Sequence, residues 1–158
     1  MCDYSLMAFP NRLAVCGENL VVHRFEAGSV GLASPEEVCK IKEARAARPD
    51  TFWARLKTFL NPPSNQHCTA VCIPPGARLM VRDIPERLQH ELSLKSDAQE
   101  VVFTQTNTVG FRDAIRFENG AEILLQRLSE GQRIHVLALS HEEHEDLELV
   151  RWGRLSKV

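Results

Sequence analysis

Asn119-Gly120, set between two apolar-rich runs, is the feature that most constrains this chain. A type I′ turn needs φ > 0 at both central residues, and Asn and Gly tolerate that best. A two-residue loop here implies a register. Phe117 faces Glu122, Ile115 faces Leu124, Asp113 faces Gln126 and Phe111 faces Leu128. Side chains alternate across a strand, so Phe111, Ile115, Phe117, Leu124 and Leu128 share an expected core face. Arg112, Arg116 and Arg127 fall on the other face, beside Ala114, Ile123 and Leu125. A one-residue slip would exchange the two sets.

Residues 101–139 therefore read as a β-meander. Residues 100–109 are rich in β-branched side chains and supply a preceding strand. A second turn is expected at Ser129-Glu130-Gly131-Gln132, with Gly131 left-handed, and residues 133–139 return as a strand. Such local strands predict a mainly β (α+β) fold, a small antiparallel β-barrel or sandwich-like meander rather than a parallel sheet.

The rest of the chain adds helices to this frame. Residues 12–16 and 19–25 flank Gly17-Glu18 as a possible first hairpin, after which Gly28 and Gly31 break the pattern. Ser34-Pro35-Glu36-Glu37 has the form of a capping box and starts a helix running to about Ala47. Asp50 caps a second helix over 51–60, which Asn61-Pro62-Pro63 stops. Together they make a two-helix insertion at about 34–66. Phe52, Trp53, Leu56 and Phe59 recur at helical spacing, so that face either packs on the sheet or docks a protein partner. Strands follow at 67–73 and 77–82, around Pro74-Pro75-Gly76, and then one further short helix at 84–94. Residues 1–140 read as a single domain and 141–158 as a tail, first acidic and then basic.

Composition narrows the functional classes. With 158 residues and 44% hydrophobic content, the chain can bury a core without disulfide staples. A net charge of −2 argues for neither a nucleic-acid nor an anionic-membrane partner, and no nucleic acid is expected. No apolar run has transmembrane length, and no secretory signal opens the chain. Five cysteines without the spacing of a small secreted scaffold suggest mainly reduced thiols and a cytoplasmic setting.

Chemistry centres on the cysteines. If the initiator Met is removed, Cys2 carries a thiol beside a free α-amine, the arrangement of an N-terminal nucleophile. Cys68 and Cys72 are four apart on a strand, so both thiols face one side, with His67 facing the other. A metal site from Cys2, Cys72 and one of His23 or His135 would suit zinc or another thiolate-binding metal. The plainer reading makes Cys68 and Cys72 core residues of a buried strand. His141 and His144 have metal-compatible spacing within an acidic run whose plainer reading is a solvated tail. Arg112, Arg116 and Arg127 on one face are candidates for holding an anion. There is no Gly-rich phosphate loop, serine nucleophile elbow or His-Glu zinc-protease motif, and the balance leans away from an enzyme.

The opening Met-Cys-Asp-Tyr-Ser-Leu, the segment Ala70-Val71-Cys72-Ile73-Pro74-Pro75-Gly76 and the late run from Arg116 to Leu137 resemble a set of short uncharacterised bacterial proteins. The resemblance covers the β segments and leaves out the helical insertion and the tail. It implies a bacterial cytosolic protein, carries no known activity and draws attention to Cys2 and Cys72. The expectation is a small accessory or binding domain of unknown ligand, with a cysteine-centred site as the alternative: thiolate metal binding, a Cys2 nucleophile or a redox thiol.

Overall fold

Residues that alternate apolar and polar across residues 19–24, 78–81, 99–105, 113–117 and 133–138 form strands, each with one face buried. The computed structural model describes residues 9–26, 28–46, 67–107 and 110–139. Nine strands are formed among them: β1 (Asn11–Leu13), β2 (Asn19–Arg24), β3 (Val30–Ala33), β4 (Ala70–Cys72), β5 (Arg78–Val81), β6 (Gln99–Gln105), β7 (Asp113–Phe117), β8 (Glu122–Leu124) and β9 (Arg133–Ala138). They make one mixed sheet in the order β1-β4-β3-β2-β9-β5-β6-β7-β8. Two helices, α1 (Pro35–Ala46) and α2 (Glu86–Glu91), and a 3-10 turn at Leu125–Arg127 complete the described elements. The protein is thus mainly β with an α contribution.

The ladder does not close into the expected barrel. Among the described residues, strands β1 and β8 are the edges, and β1 runs parallel to β4, so the sheet is not wholly antiparallel. It does curl. After β8 the 3-10 turn meets β3, where the Gln126 side chain takes the place of a strand. Its Oε1 accepts the Val30 N–H at 3.1 Å and its Nε2 donates to the Val30 carbonyl at 3.2 Å. The concave side of the curl holds the main core, including Leu20, Leu32, Leu79, Phe103, Ile115, Ile134 and Val136.

The hairpin at Asn119-Gly120 forms, but one residue out of the expected register. Ile115 pairs with Ile123 and Arg116 with Glu122. The loop holds three residues, with Gly120 at φ 85° and Asn119 not among the positive-φ residues. A type I turn followed by one left-handed glycine needs φ > 0 only once, and it shifts the ladder by one. Ile123 and Leu125 are consequently buried and Leu124 only partly so, while Phe111 is exposed and outside any strand. The meander also ends at β8. The turn at 129–132, with Gly131 left-handed as expected, carries the chain across the curl, and β9 inserts between β2 and β5.

Two expectations for the first strands change. Residues 12–16 do not form a hairpin with 19–25, because β1 is taken by β4. Gly31 does not break a strand but lies within β3, whose hairpin with β2 turns at Gly28. The first helix of the insertion is observed as α1. Glu37 does not close a capping box there. Its Oε2 instead accepts the Thr69 N–H at 2.8 Å, tying α1 to the chain entering β4. The second helix, with Phe52, Trp53, Leu56 and Phe59, lies outside the described residues. So do Cys2, His141 and His144.

Candidate functional site

Alternation decides which side chains meet on the convex face of the sheet. On β4 and its lead-in, Val71 joins the main core, while Cys68 and Ala70 join a second apolar cluster with Phe25, Ala33 and Val38 of α1. Cys72 shares their parity and therefore their face. Leu32 pairs with Val71, so the antiparallel register brings Gly31 beside Cys72, and Gly31 pairs in turn with His23 on β2. Cys72, Gly31 and His23 thus form one cross-strand row. Its middle member has no side chain.

A pocket of about 320 Å³ opens beside this row. Phe9, His23, Phe25, Ile41, His67 and Cys68 line it, with Arg24, Glu26, Lys42 and Glu130 at charged positions. Its aromatic wall is continuous. The Phe9 ring centroid lies 5.1 Å from that of Phe25 and 6.0 Å from that of His67 in edge-on contact, and His23 meets Phe25 edge-on at 5.0 Å. Each histidine has a carboxylate near. His23 Nδ1 is 3.5 Å from Glu130, and His67 Nδ1 is 3.8 Å from Glu26. His67 precedes β4 rather than belonging to it, so alternation does not turn it away from Cys68 as the sequence suggested.

Cys68, which precedes β4, and Cys72, which ends it, have different chemistry. Cys68 is free and buried, and burial, aided by the nearby Glu37 carboxylate, pushes its thiol up to about 11. At neutral pH such a group is a thiol, not the thiolate that attacks or binds metal. Cys72 is disulfide-bonded, and its residue is 6% exposed. Cys16 and Cys39 are free and exposed. The expectation of reduced cysteines therefore describes three of the residues but not Cys72.

The other candidate residues have partners of their own. His135 is paired opposite Asn19 and its Nδ1 lies 2.9 Å from the Asn19 amide oxygen. That places it four residues along β2 from His23, about 13 Å at the usual rise. Among the described residues, no group of three or more His, Cys, Asp or Glu side chains is placed to hold a metal ion. Arg116 pairs with Glu122 at 3.1 Å, Arg127 with Glu91 at 2.7 Å, and Arg112 Nε donates to the Thr106 carbonyl at 3.2 Å. The three arginines share no common partner among these contacts.

Phe9, Phe25, His67, Glu26 and Glu130 were not singled out in the sequence. They come from segments that the β1-β4-β3-β2-β9 order brings together. His67 directly precedes Cys68, and that adjacency was the one available signal. No helix among the described residues is long and apolar enough to cross a membrane. Comparison of the chain with family models, with curated proteins and with solved structures gave no match.

Proposed function

We propose that this protein is a small accessory or binding domain whose ligand region is the convex-face pocket between α1 and the β2–β3–β4 end of the sheet. The observation that carries this reading is the convergence of Phe9, Phe25, His23 and His67 on one cavity of about 320 Å³. That volume lies at the lower end of small-molecule sites, which range from about 300 to 1,000 Å³. The aromatic wall suits a small ligand with a flat apolar body, and the charged residues around it suit polar groups on that ligand. The two imidazoles suit a hydrogen-bonding group at one end of it. The test is protein-observed NMR with a set of aromatic carboxylates and aromatic amines. Shifts should concentrate on Phe9, His23, Phe25 and His67. Saturating shifts elsewhere, with these four unmoved, refute the assignment.

A cysteine-centred function is the second reading, favoured by the disulfide at Cys72. In a cytoplasmic setting, which we include in the proposal, disulfides are usually transient and either catalytic or redox-sensing. Cys72 is then a redox thiol, and thiolate metal binding is confined to the reduced state.

A further inference from the structure

We infer that a second pocket, on the same convex face but over strands β2, β9 and β5, binds a small oxyanion, the carboxylate or phosphate group of a ligand. The inference goes beyond the function proposed above and does not rest on it. This pocket has a volume of about 420 Å³. Arg82, Arg133, His135, Asn19, Val21 and Pro35 are in its wall, and no carboxylate is among the described residues that line it. The aromatic pocket, by contrast, sets Glu26 and Glu130 against its basic groups.

The ladder explains why these side chains meet. Val21 of β2 pairs with Arg133 of β9, and Asn19 pairs with His135. On the other side of β9, Met80 of β5 pairs with His135 and Val81 with Ile134. Arg82 therefore falls opposite Arg133, and its backbone N–H donates to the Arg133 carbonyl at 2.9 Å. Opposite residues of an antiparallel pair share a face. Arg82, Arg133 and Val21 thus make one cross-strand row, and His135 and Asn19 belong to the next. Val21 also pairs with Ala33, from which the chain turns through Ser34 into α1 and brings Pro35 into the wall. This set, not Arg112, Arg116 and Arg127, is the basic group that the fold gathers at one pocket.

Two arginines directly opposite each other repel. One of them is answered. Asp83 takes the Arg133 guanidinium with both oxygens, at 2.5 and 2.8 Å. To do so Asp83 holds φ at 56°, a left-handed conformation that Asp tolerates better than most residues. The Arg82 guanidinium makes no hydrogen bond or ion pair among the described residues. The row therefore keeps one positive charge in excess. In the next row His135 Nδ1 lies 2.9 Å from the Asn19 amide oxygen. That oxygen only accepts, so Nδ1 carries the proton and Nε2 is left for a ligand. A guanidinium holds two oxygens of a carboxylate or phosphate at once. The neutral imidazole Nε2 accepts from an O–H of the same ligand, and Val21 and Pro35 offer apolar contact to its carbon body.

The test titrates the full chain with sodium phosphate and, separately, with sodium isobutyrate at constant ionic strength, followed by protein-observed NMR that includes the arginine Nε–H signals. Saturating shifts are expected at Arg82, Arg133 and His135, with Phe9 and His67 unmoved. The probe that saturates at the lower concentration tells which oxyanion the site takes. Arg82→Gln should weaken binding about tenfold or more, the usual loss for a charge-assisted contact. Asp83→Asn should tighten it severalfold, because Asn keeps the left-handed backbone and Arg133 is released to the ligand. A folding defect would weaken binding in both variants, so the opposite signs keep the result distinct from misfolding. Shifts that fail to saturate, or that sodium chloride alone reproduces, overturn the site, as does unchanged affinity in either variant. Saturation at Phe9 and His67 with Arg82 unmoved overturns it while supporting the aromatic pocket.

Discussion

Gln126→Ala removes the clasp that joins the two ends of the curled sheet. In the native protein one primary amide satisfies both the N–H and the C=O of Val30, at 3.1 and 3.2 Å. Val30 is buried, and beyond the Leu32–Val71 pair strand β4 offers it no partner. Two hydrogen bonds contribute about 1 kcal/mol each, and a buried backbone group left dry costs about 1–3 kcal/mol more. The expected loss is therefore about 2 kcal/mol if water reaches Val30 and about 3–5 kcal/mol if one of its groups stays dry. A typical domain has about 5–15 kcal/mol in total, so urea unfolding should show the change clearly, with the midpoint lowered and the slope unchanged. Hydrogen exchange at the Val30 amide should accelerate in parallel. Gln126→Glu provides a control. The carboxylate still accepts from the N–H but faces the carbonyl without a donor, so stability should recover in acid, where the protonated group donates again. A loss below about 0.5 kcal/mol in the alanine variant, within ordinary surface scatter, refutes the claim that this amide completes the curl.

Three further outcomes are expected. Glu37→Gln keeps an acceptor for the Thr69 N–H but removes the charge near Cys68, so the Cys68 thiol should fall from about 11 while burial keeps it high. Its iodoacetamide rate at alkaline pH should rise by up to about tenfold per unit of fall, and an unchanged rate rejects the charge contribution. Gly120→Ala places a side chain in open space at φ 85°, so its cost is backbone strain alone, about 1–2 kcal/mol in thermal or urea unfolding. Equal stability of this variant and the wild type would refute a left-handed Gly120. The Arg12 guanidinium and the Val15 N–H hold the Glu18 carboxyl below its ordinary range. That stabilisation is complete above the unfolded carboxyl value and is lost as pH falls through the lowered folded value. Arg12→Ala should flatten this acid limb of a stability-versus-pH curve, and an unaltered limb assigns it to other groups.

Much of the strand pattern was legible because alternation is local. The strands now placed at 78–81, 99–105, 113–117 and 133–138 were each anticipated within a few residues. Register was not legible at Asn119-Gly120. The dipeptide fits both a two-residue loop with two left-handed residues and a three-residue loop with one, and only the second buries Ile123 and Leu125. Residues 12–16 looked like half of a hairpin because their neighbours in sequence are apolar, whereas their partner β4 is distant in the chain. The candidate site followed the same division. The burial of Cys68 and Cys72 could be read from the apolar run they sit in. The row from Cys72 to His23 required the strand order, and Phe9 entered the pocket only through parallel pairing that no local pattern announces.

The position of β9 bears on how the chain acquires its fold. It is the last described strand, yet it sits between β2 and β5, with β2 and β3 on one side and β5 to β8 on the other. Until residues 133–138 arrive, those groups share no ladder, and each exposes an unpaired edge. Closing the sheet must then wait for contacts of long sequence separation, which slow folding. On the ribosome, the two groups would emerge and wait with sticky edges until nearly all of the described chain had been made.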